Sequence, residues 1–155
     1  VDRAFNVKCV GAVVLGYALT QVSVHDKLIA YPMNKEIEIR SIQVLDEDQD
    51  SVLPGTRVGL ALRNVTLEDI EGIQALIRPN TRSSKIIDGF IRFKWSEDAR
   101  EIHVIFNGIK VMGKIENDHI TLSRELPMVN GRAFIINVNA KTKKPRIMGY
   151  ALINA

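Results

Sequence analysis

The chain has little that would support an enzyme or a metalloprotein. A single cysteine among 155 residues excludes an internal disulfide and a zinc site built from several cysteines. The three histidines lie in separate segments, without the spacing of a metal site or of a base beside a nucleophile. We therefore expect no metal, no cofactor and no catalytic centre in this chain.

Long apolar runs and nucleotide-binding motifs are also missing. The apolar run at residues 12–15 is far shorter than the roughly 20 residues that span a bilayer, and the sequence does not open with a signal peptide. No phosphate loop of the form GxxxxGK[ST] and no guanine-reading NKxD motif occurs. These features predict a cytoplasmic protein without a membrane partner, and place any GTPase activity outside these residues.

Apolar residues alternate with polar or small ones along most of the chain, which is the pattern of half-buried strands. In residues 36–44 the apolar phase changes around Ser41, which predicts a β-bulge. Asn107-Gly108 is the strongest hairpin signal, and residues 67–71 could form one helical turn. Many short strands with regular turns favour barrels, because closure removes exposed edges. The predicted fold class is all-β.

Two polar segments have alternative interpretations. His25-Asp26 could be an acid/base pair, but a turn is the better prediction. The acidic run at residues 46–50 could bind a cation, but it lacks the glycine and the terminal glutamate of a calcium loop, so a solvated loop is favoured.

The two halves of the chain differ in charge. Residues 1–82 have 9 basic and 11 acidic side chains, a net charge of −2, whereas residues 83–155 have 12 and 7, a net charge of +5. A basic half is expected where a surface meets phosphates, although solubility explains many such imbalances.

Three blocks near the start resemble the second domain of translation GTPases. Residues 3–16, RAFNVKCVGAVVLG, are similar to that family's hairpin, RxFxVxGxGTVxxG. Residues 54–65, PGTRVGLALRNV, are similar to its GxxVGLxL[RK]G[VI] strand, and residues 67–72, LEDIEG, to its DI-containing continuation. Within this family, the motifs are most similar to those of elongation factor Tu and the selenocysteine-specific elongation factors.

Later residues resemble the third domain of elongation factor Tu. Residues 131–138 and 146–153 are similar to its closing strands, with Asn137 near the family's usual arginine and Tyr150-Ala151 altering the last glycine pattern. A polar, proline-containing stretch at residues 77–85 marks the predicted boundary. The resemblance implies two consecutive β-barrels, a domain 2-like barrel at residues 1–80 and a domain 3-like barrel at residues 81–155.

The resemblance implies a module that binds tRNA or ribosomal RNA, with no DNA partner. The basic residues that could contact RNA include a loop at residues 141–146, which could approach phosphates, although basic hairpin tips are common on soluble domains. The RNA-binding candidates are Arg57, Arg63, Lys141, Lys143, Lys144 and Arg146. The candidates for a pocket around the aminoacylated end of tRNA are Cys9, Ala12 and Ala61.

Several residues depart from the family pattern. Cys9 and Asn64 stand where glycine is usual, and Ala12 stands for threonine. Cys9 could give a smaller pocket or simply be an apolar filler of a strand. His25 also replaces a glycine, which predicts a turn of different shape because histidine enters positive φ less easily.

These departures favour the alternative function, a protein-interaction module that docks on a GTPase domain or another translation factor. The sequence starts at Val1 and meets a family motif almost at once. We therefore expect a fragment of a longer protein, with a GTPase domain in cis or supplied by another chain.

Overall fold

The computed structural model describes residues 1–141, 143 and 145–155. Sixteen β-strands and one short helix are present in these residues. The strands of residues 1–79 are β1 Arg3–Val7, β2 Gly11–Tyr17, β3 Val22–Ser23, β4 Lys27–Tyr31, β5 Lys35–Val44, β6 Glu47–Gln49, β7 Ser51–Val52, β8 Arg57–Arg63 and β9 Ala75–Ile77; the helix is α1 Leu67–Ile70. Those of residues 80–155 are β10 Ser83–Ile87, β11 Ile91–Arg92, β12 Glu101–Phe106, β13 Ile109–Glu116, β14 His119–Pro127, β15 Gly131–Ile136 and β16 Ile147–Ile153.

The chain forms two compact units, Val1–Pro79 and Asn80–Ala155. In the first, an antiparallel sheet has the order β1-β2-β8-β5-β4-β9, with β6 paired to β5 and a separate β3–β7 pair. The backbone nitrogen of Val1 donates to the carbonyl of Gln74 at 3.1 Å, which joins the segments leading into the two edge strands. The enclosed core contains Ile37, Ile39 and Ile42, all fully buried.

The second unit has the order β10-β14-β13-β12-β15-β16-β11. Its two edge strands, β10 and β11, follow each other in the chain and are separated by only residues 88–90. The core is filled by inward-facing side chains such as Ile102, Val104 and Phe106, whereas Ile105 of the same strand faces outward. The predicted all-β fold of two successive barrels is confirmed, and the alternation of apolar residues is its cause.

The local predictions for turns and bulges are largely confirmed. Asn107 and Gly108 have φ of 51° and 82° and connect β12 to β13, as the hairpin signal predicts. The β5–β8 register shifts between Ile39 and Ser41. The acidic run differs from its prediction: instead of a loop, it forms part of a hairpin in which β6 pairs with β5. Its turn contains Leu45, which is 93% exposed.

The predicted helical turn is also present. Thr66 caps α1 by accepting a hydrogen bond from the backbone nitrogen of Asp69. The Asp69 carboxylate in turn accepts from the Thr66 hydroxyl at 2.8 Å and from Lys35 Nζ at 3.1 Å. These hydrogen bonds, from Thr66 first and then from Lys35, hold the pKa of Asp69 below its ordinary value of 3.8.

Three positions where glycine was expected keep the glycine conformation. Cys9, His25 and Asn64 have φ of 68°, 74° and 67°. The prediction that His25 changes the shape of its turn is therefore not supported: the residue enters positive φ, and its backbone nitrogen donates to the Ile39 carbonyl at 2.8 Å. The predicted turn itself is confirmed. The chain thus adopts positive φ at these three positions without glycine, at a cost in local strain.

Candidate nucleic-acid interface

A strip of small and apolar residues, which we call the outer strip, lies on the outer face of the first unit. Val13 of β2 is opposite Ala61 of β8, and Leu15 is opposite Gly59. Gly59 has no side chain, so the Leu15 side chain leans over it, with Cδ2 3.3 Å from the position that a Cβ would occupy. The Leu15 side chain therefore covers the space beside Gly59, and this face of the sheet presents small and apolar side chains between the two strands.

Two arginines stand at the two ends of β8, on the same outer face as Gly59 and Ala61. Arg57 and Arg63 are the first and last residues of the strand, and both are exposed. Because side chains alternate along a strand, residues 57, 59, 61 and 63 share one face. Arg57 and Arg63, two of the RNA-binding candidates, therefore lie at opposite ends of the strip.

Arg57 is held by two neighbours. Its Nη1 donates to Asp2 Oδ2 at 2.5 Å, and its guanidinium lies over the Tyr17 ring, with Cζ 5.2 Å from the ring centroid. Hydrogen bonding to Asp2, and then to Tyr17, raises the pKa of Arg57 above its already high ordinary value. The guanidinium is therefore positioned, and a phosphate would have to compete with Asp2 for it.

Arg63 has a looser partner. Its Nη1 lies 3.6 Å from Glu38 Oε2 across the β5–β8 pair. This separation is too long for a good hydrogen bond, and both groups reach solvent. Arg63 is consequently easier to recruit to a phosphate than Arg57.

The three aminoacyl-end candidates are not brought together. Ala61 lies on the outer strip, although neighbours leave it only 5% exposed. Ala12 belongs to the core on the opposite face of the sheet. Cys9 lies in the exposed turn between β1 and β2, so its interpretation as a filler of a strand is wrong. Of the three, only Ala61 lies on the strip.

The basic loop belongs to the second unit and connects β15 to β16. Lys141, Lys143 and Arg146 are exposed, and Lys143 has φ of 72°. Lys144, the remaining candidate, lies outside the described residues, as does Thr142. The cations of the loop that the structure describes therefore face solvent, where they could meet phosphates.

The base of this loop is fixed by Asn137, which is only 3% exposed. Its backbone nitrogen donates to the Arg146 carbonyl at 2.7 Å, and its Oδ1 accepts from the backbone nitrogen of Asn139 at 3.0 Å. The backbone nitrogen of Lys141 donates to Glu97 Oε2 at 3.1 Å. These hydrogen bonds connect Asn137, the first residue after β15, to Arg146, and connect Lys141 to Glu97.

An open cleft of about 610 Å³ lies beside the base of the loop. Its lining mixes charges of both signs, with Glu97, Asp98 and Glu101 against Arg100 and Lys141. This mixture does not favour a phosphate over other polar ligands. Among the described residues, no three His, Cys, Asp or Glu side chains converge as metal ligands would.

Sequence reasoning missed an aromatic cluster on the second unit. Phe93 and Trp95 stack with ring centroids 4.9 Å apart and an interplanar angle of 21°. Tyr150 lies 6.0 Å from Phe93, and Arg132 lies over the Tyr150 ring at 4.7 Å. The one local signal of this cluster was that Phe93 and Trp95 are two residues apart in the sequence, just before a stretch with few strand signals. The approach of Tyr150 depends on the fold.

Within the part of the chain that the structure describes, no helix is long and apolar enough to cross a bilayer.

Two curated proteins of Methanocaldococcus jannaschii are similar in sequence. An uncharacterised protein is 36% identical over 97 residues, which cover 62% of this chain and 31% of that protein. A selenocysteine-specific elongation factor is 37% identical over 92 residues, which cover 59% of this chain and 19% of that factor. The chain thus spans under a third of the length of either relative. No family model matches the sequence.

Solved structures of selenocysteine-specific elongation factors match nearly the whole chain. Translation elongation factor SelB from Methanococcus maripaludis, in its apo form, has a TM-score of 0.75 and 21% identity, covering 99% of this chain and 41% of that one. A bacterial selenocysteine-specific elongation factor, EF-Sec, has a TM-score of 0.77 and 20% identity, covering 98% and 27%. The M. maripaludis factor in complex with the GTP analogue GPPNHP has a TM-score of 0.75 and 22% identity, covering 99% and 42%. The resemblance inferred from the sequence is confirmed.

Proposed function

We propose that this chain, which has the two-barrel fold of part of the selenocysteine-specific elongation factors, is a non-catalytic translation-factor module that binds tRNA or ribosomal RNA. The observation that carries the proposal is the coverage of 98–99% of the chain by structures of those factors. The sequence likeness to a selenocysteine-specific elongation factor supports the same interpretation.

Two described surfaces supply the chemistry for RNA. On the first unit, Arg57 and Arg63 bound the strip that contains Ala61, so that a planar group could pack against Val13 and Leu15 while phosphates meet the guanidinium groups. On the second unit, the exposed cations Lys141, Lys143 and Arg146 of the basic loop could neutralise further phosphates.

The experiment is a titration of the protein with aminoacylated tRNA and with deacylated tRNA, each at two salt concentrations. We expect affinity to fall as salt rises, because each neutralised phosphate releases counterions. Absence of binding at low salt would contradict RNA binding, and binding without salt dependence would contradict its electrostatic mechanism. Tighter binding of the aminoacylated form would support a role for the outer strip in holding the tRNA end.

A second candidate function is docking on a GTPase domain, in cis or in another chain. It is favoured by apolar side chains on the outer face of the second unit, where Ile105 is opposite Phe134 and both are exposed. The factor solved with a GTP analogue extends well beyond the part that this chain matches, and this sequence has no phosphate loop. Gel filtration of the chain mixed with the GTPase domain of such a factor, with and without GPPNHP, would detect a complex.

A further inference from the structure

The aromatic cluster of the second unit ends in an open indole ring. Trp95 is 60% exposed although one face of its ring is stacked on Phe93. Phe93 is half-buried and leans on Tyr150, so the two rings form a short stack with a fixed base and a free end. A stack of this kind can be extended by one further planar group.

The backbone fixes this stack to the barrel. Ile91 and Arg92 of β11 pair with Tyr150 and Gly149 of β16, and the backbone nitrogen of Phe93 donates to the Met148 carbonyl at 2.7 Å. Gly149 makes this approach possible, because a Cβ there would collide with the Ile91 carbonyl.

The turn that follows is closed at Ser96. Its hydroxyl and its backbone nitrogen both donate to the Phe93 carbonyl, at 2.7 and 3.1 Å. Trp95 is therefore presented by an anchored turn, which lowers the cost of ordering it on a ligand.

Cations accompany the rings. Arg132 lies over Tyr150, and Lys94 is exposed between Phe93 and Trp95 in the sequence. Arg92 is paired with Asp98 at 2.6 Å, so it is less available than the other two. The unit as a whole has 13 basic and 7 acidic side chains, a net charge of +6. A neutral apolar partner would leave these charges without counterparts, whereas an anionic chain of planar bases complements both the rings and the cations.

We propose that an unpaired RNA base stacks on the free face of Trp95, with an adjoining phosphate near Lys94 and a more distant phosphate of the same strand near Arg132. This inference rests on the proposed RNA-binding function and names the surface and the element of RNA involved. Stacking reads no particular base, so the site accepts single-stranded RNA with little sequence preference.

The sole tryptophan of the chain makes the test direct, because its fluorescence reports on this position alone. The probes are a 12-nucleotide oligoadenylate and a blunt RNA duplex of the same length. We expect the single strand to quench Trp95 emission and the duplex to leave it unchanged at equal saturation. Binding of the single strand without quenching would overturn the inference.

Variants separate stacking from general RNA affinity, measured by anisotropy of a labelled oligoadenylate. Trp95→Ala should weaken binding at least about fivefold, the contribution of one stacked base, and Trp95→Phe should restore most of it. Met112→Ala is the matched control, since Met112 is equally exposed, at 59%, but lies on β13 of the same unit. Its affinity should equal that of the unchanged protein.

The outcomes also distinguish this inference from the proposed function. If tRNA binds but neither quenching nor the Trp95 variants show an effect, the stacking site is excluded and RNA binding stands. If no RNA binds, both are excluded. A blue shift of Trp95 emission with protein concentration alone, or on adding a GTPase domain, would assign the surface to a protein partner and overturn the inference.

Discussion

Arg57 and Asp2 form a hydrogen-bonded ion pair at 2.5 Å, although 55 positions separate them in the chain. The pair fixes the guanidinium at one end of the outer strip and occupies one of its donors. If Arg57 binds a phosphate, Asp2 is a competitor, and its removal should favour RNA. We therefore expect Asp2→Asn to tighten tRNA binding about two- to fivefold at low salt, the range of an exposed ion pair.

Arg57→Ala should have the opposite effect and weaken tRNA binding. In the double variant it should also abolish the effect of Asp2→Asn. Filter binding of all four proteins gives this comparison. Glu38→Gln is the parallel variant at Arg63, and because that pair is longer, at 3.6 Å, we expect it to change affinity less. Equal effects of Asp2→Asn with and without Arg57 would show that Arg57 does not bind RNA.

The basic loop should contribute to affinity through charge. Neutralising Lys141, Lys143 and Lys144 together to alanine is expected to weaken tRNA binding and to reduce the slope of log K against log salt by about 0.7 to 0.9 for each phosphate that the loop no longer neutralises. The control neutralises Lys27, Lys85 and Lys114, which gives the same net charge while leaving the loop intact. Identical slopes for the two triple variants would remove the loop from the interface.

The strain at Cys9 has a measurable cost. At φ of 68°, glycine should be more stable than alanine by about 1 kcal/mol, because only glycine enters this region freely. We expect Cys9→Gly to have a higher urea midpoint than Cys9→Ala, and Cys9→Val to have the lowest. The neighbouring residue Lys8 does not have positive φ, so there the alanine variant should have a higher urea midpoint than the glycine variant. The same order at both positions would argue against backbone strain at Cys9.

The stability of the first unit should depend on Asp69 at acid pH. Since the folded-state pKa of Asp69 lies below 3.8, its carboxylate stabilises the fold above that pH, and this contribution is lost as pH falls through the folded-state pKa. Asp69→Asn should thus lower the urea midpoint at pH 7, and the difference from the unchanged protein should shrink below pH 3.8.

Asp50→Asn is the control for this experiment, because Asp50 belongs to the same unit, is exposed, and among the described residues forms no ion pair. Its urea midpoint should follow that of the unchanged protein at every pH. If the urea midpoint of Asp69→Asn differed from that of the unchanged protein by the same amount from pH 7 to pH 3, the loss of stability would not come from the charge of the carboxylate.

Features determined by neighbouring residues were predictable from the sequence. Alternation identified the strands, Asn107-Gly108 identified a hairpin whose two residues both have positive φ, and the phase change at Ser41 identified the bulge. The turn at Leu45 and Asp46 was not predictable, because leucine rarely adopts the φ of 51° that it has here.

Features that depend on strand register or on distant parts of the chain could not be predicted from the sequence. Whether Ala12 and Ala61 share a face follows from the pairing of Val13 with Ala61, which alternation alone does not give. Tyr150 reaches Phe93 because β16 pairs with β11, and these two segments are far apart in the sequence. The aromatic cluster could therefore be identified only once the topology was known.

The order of strands in the second unit has a practical consequence for protein engineering. Residues 88–90 lie between β10 and β11 and take part in no strand pair, and at the other end of β10 Arg82 Nη2 donates to the Asn154 carbonyl at 3.2 Å. A circular permutant that opens at Gly89 and joins residues 82 and 154 through a short linker would therefore retain every pairing of this sheet. Its new termini would emerge a few residues from Trp95, where a donor or acceptor dye could be attached.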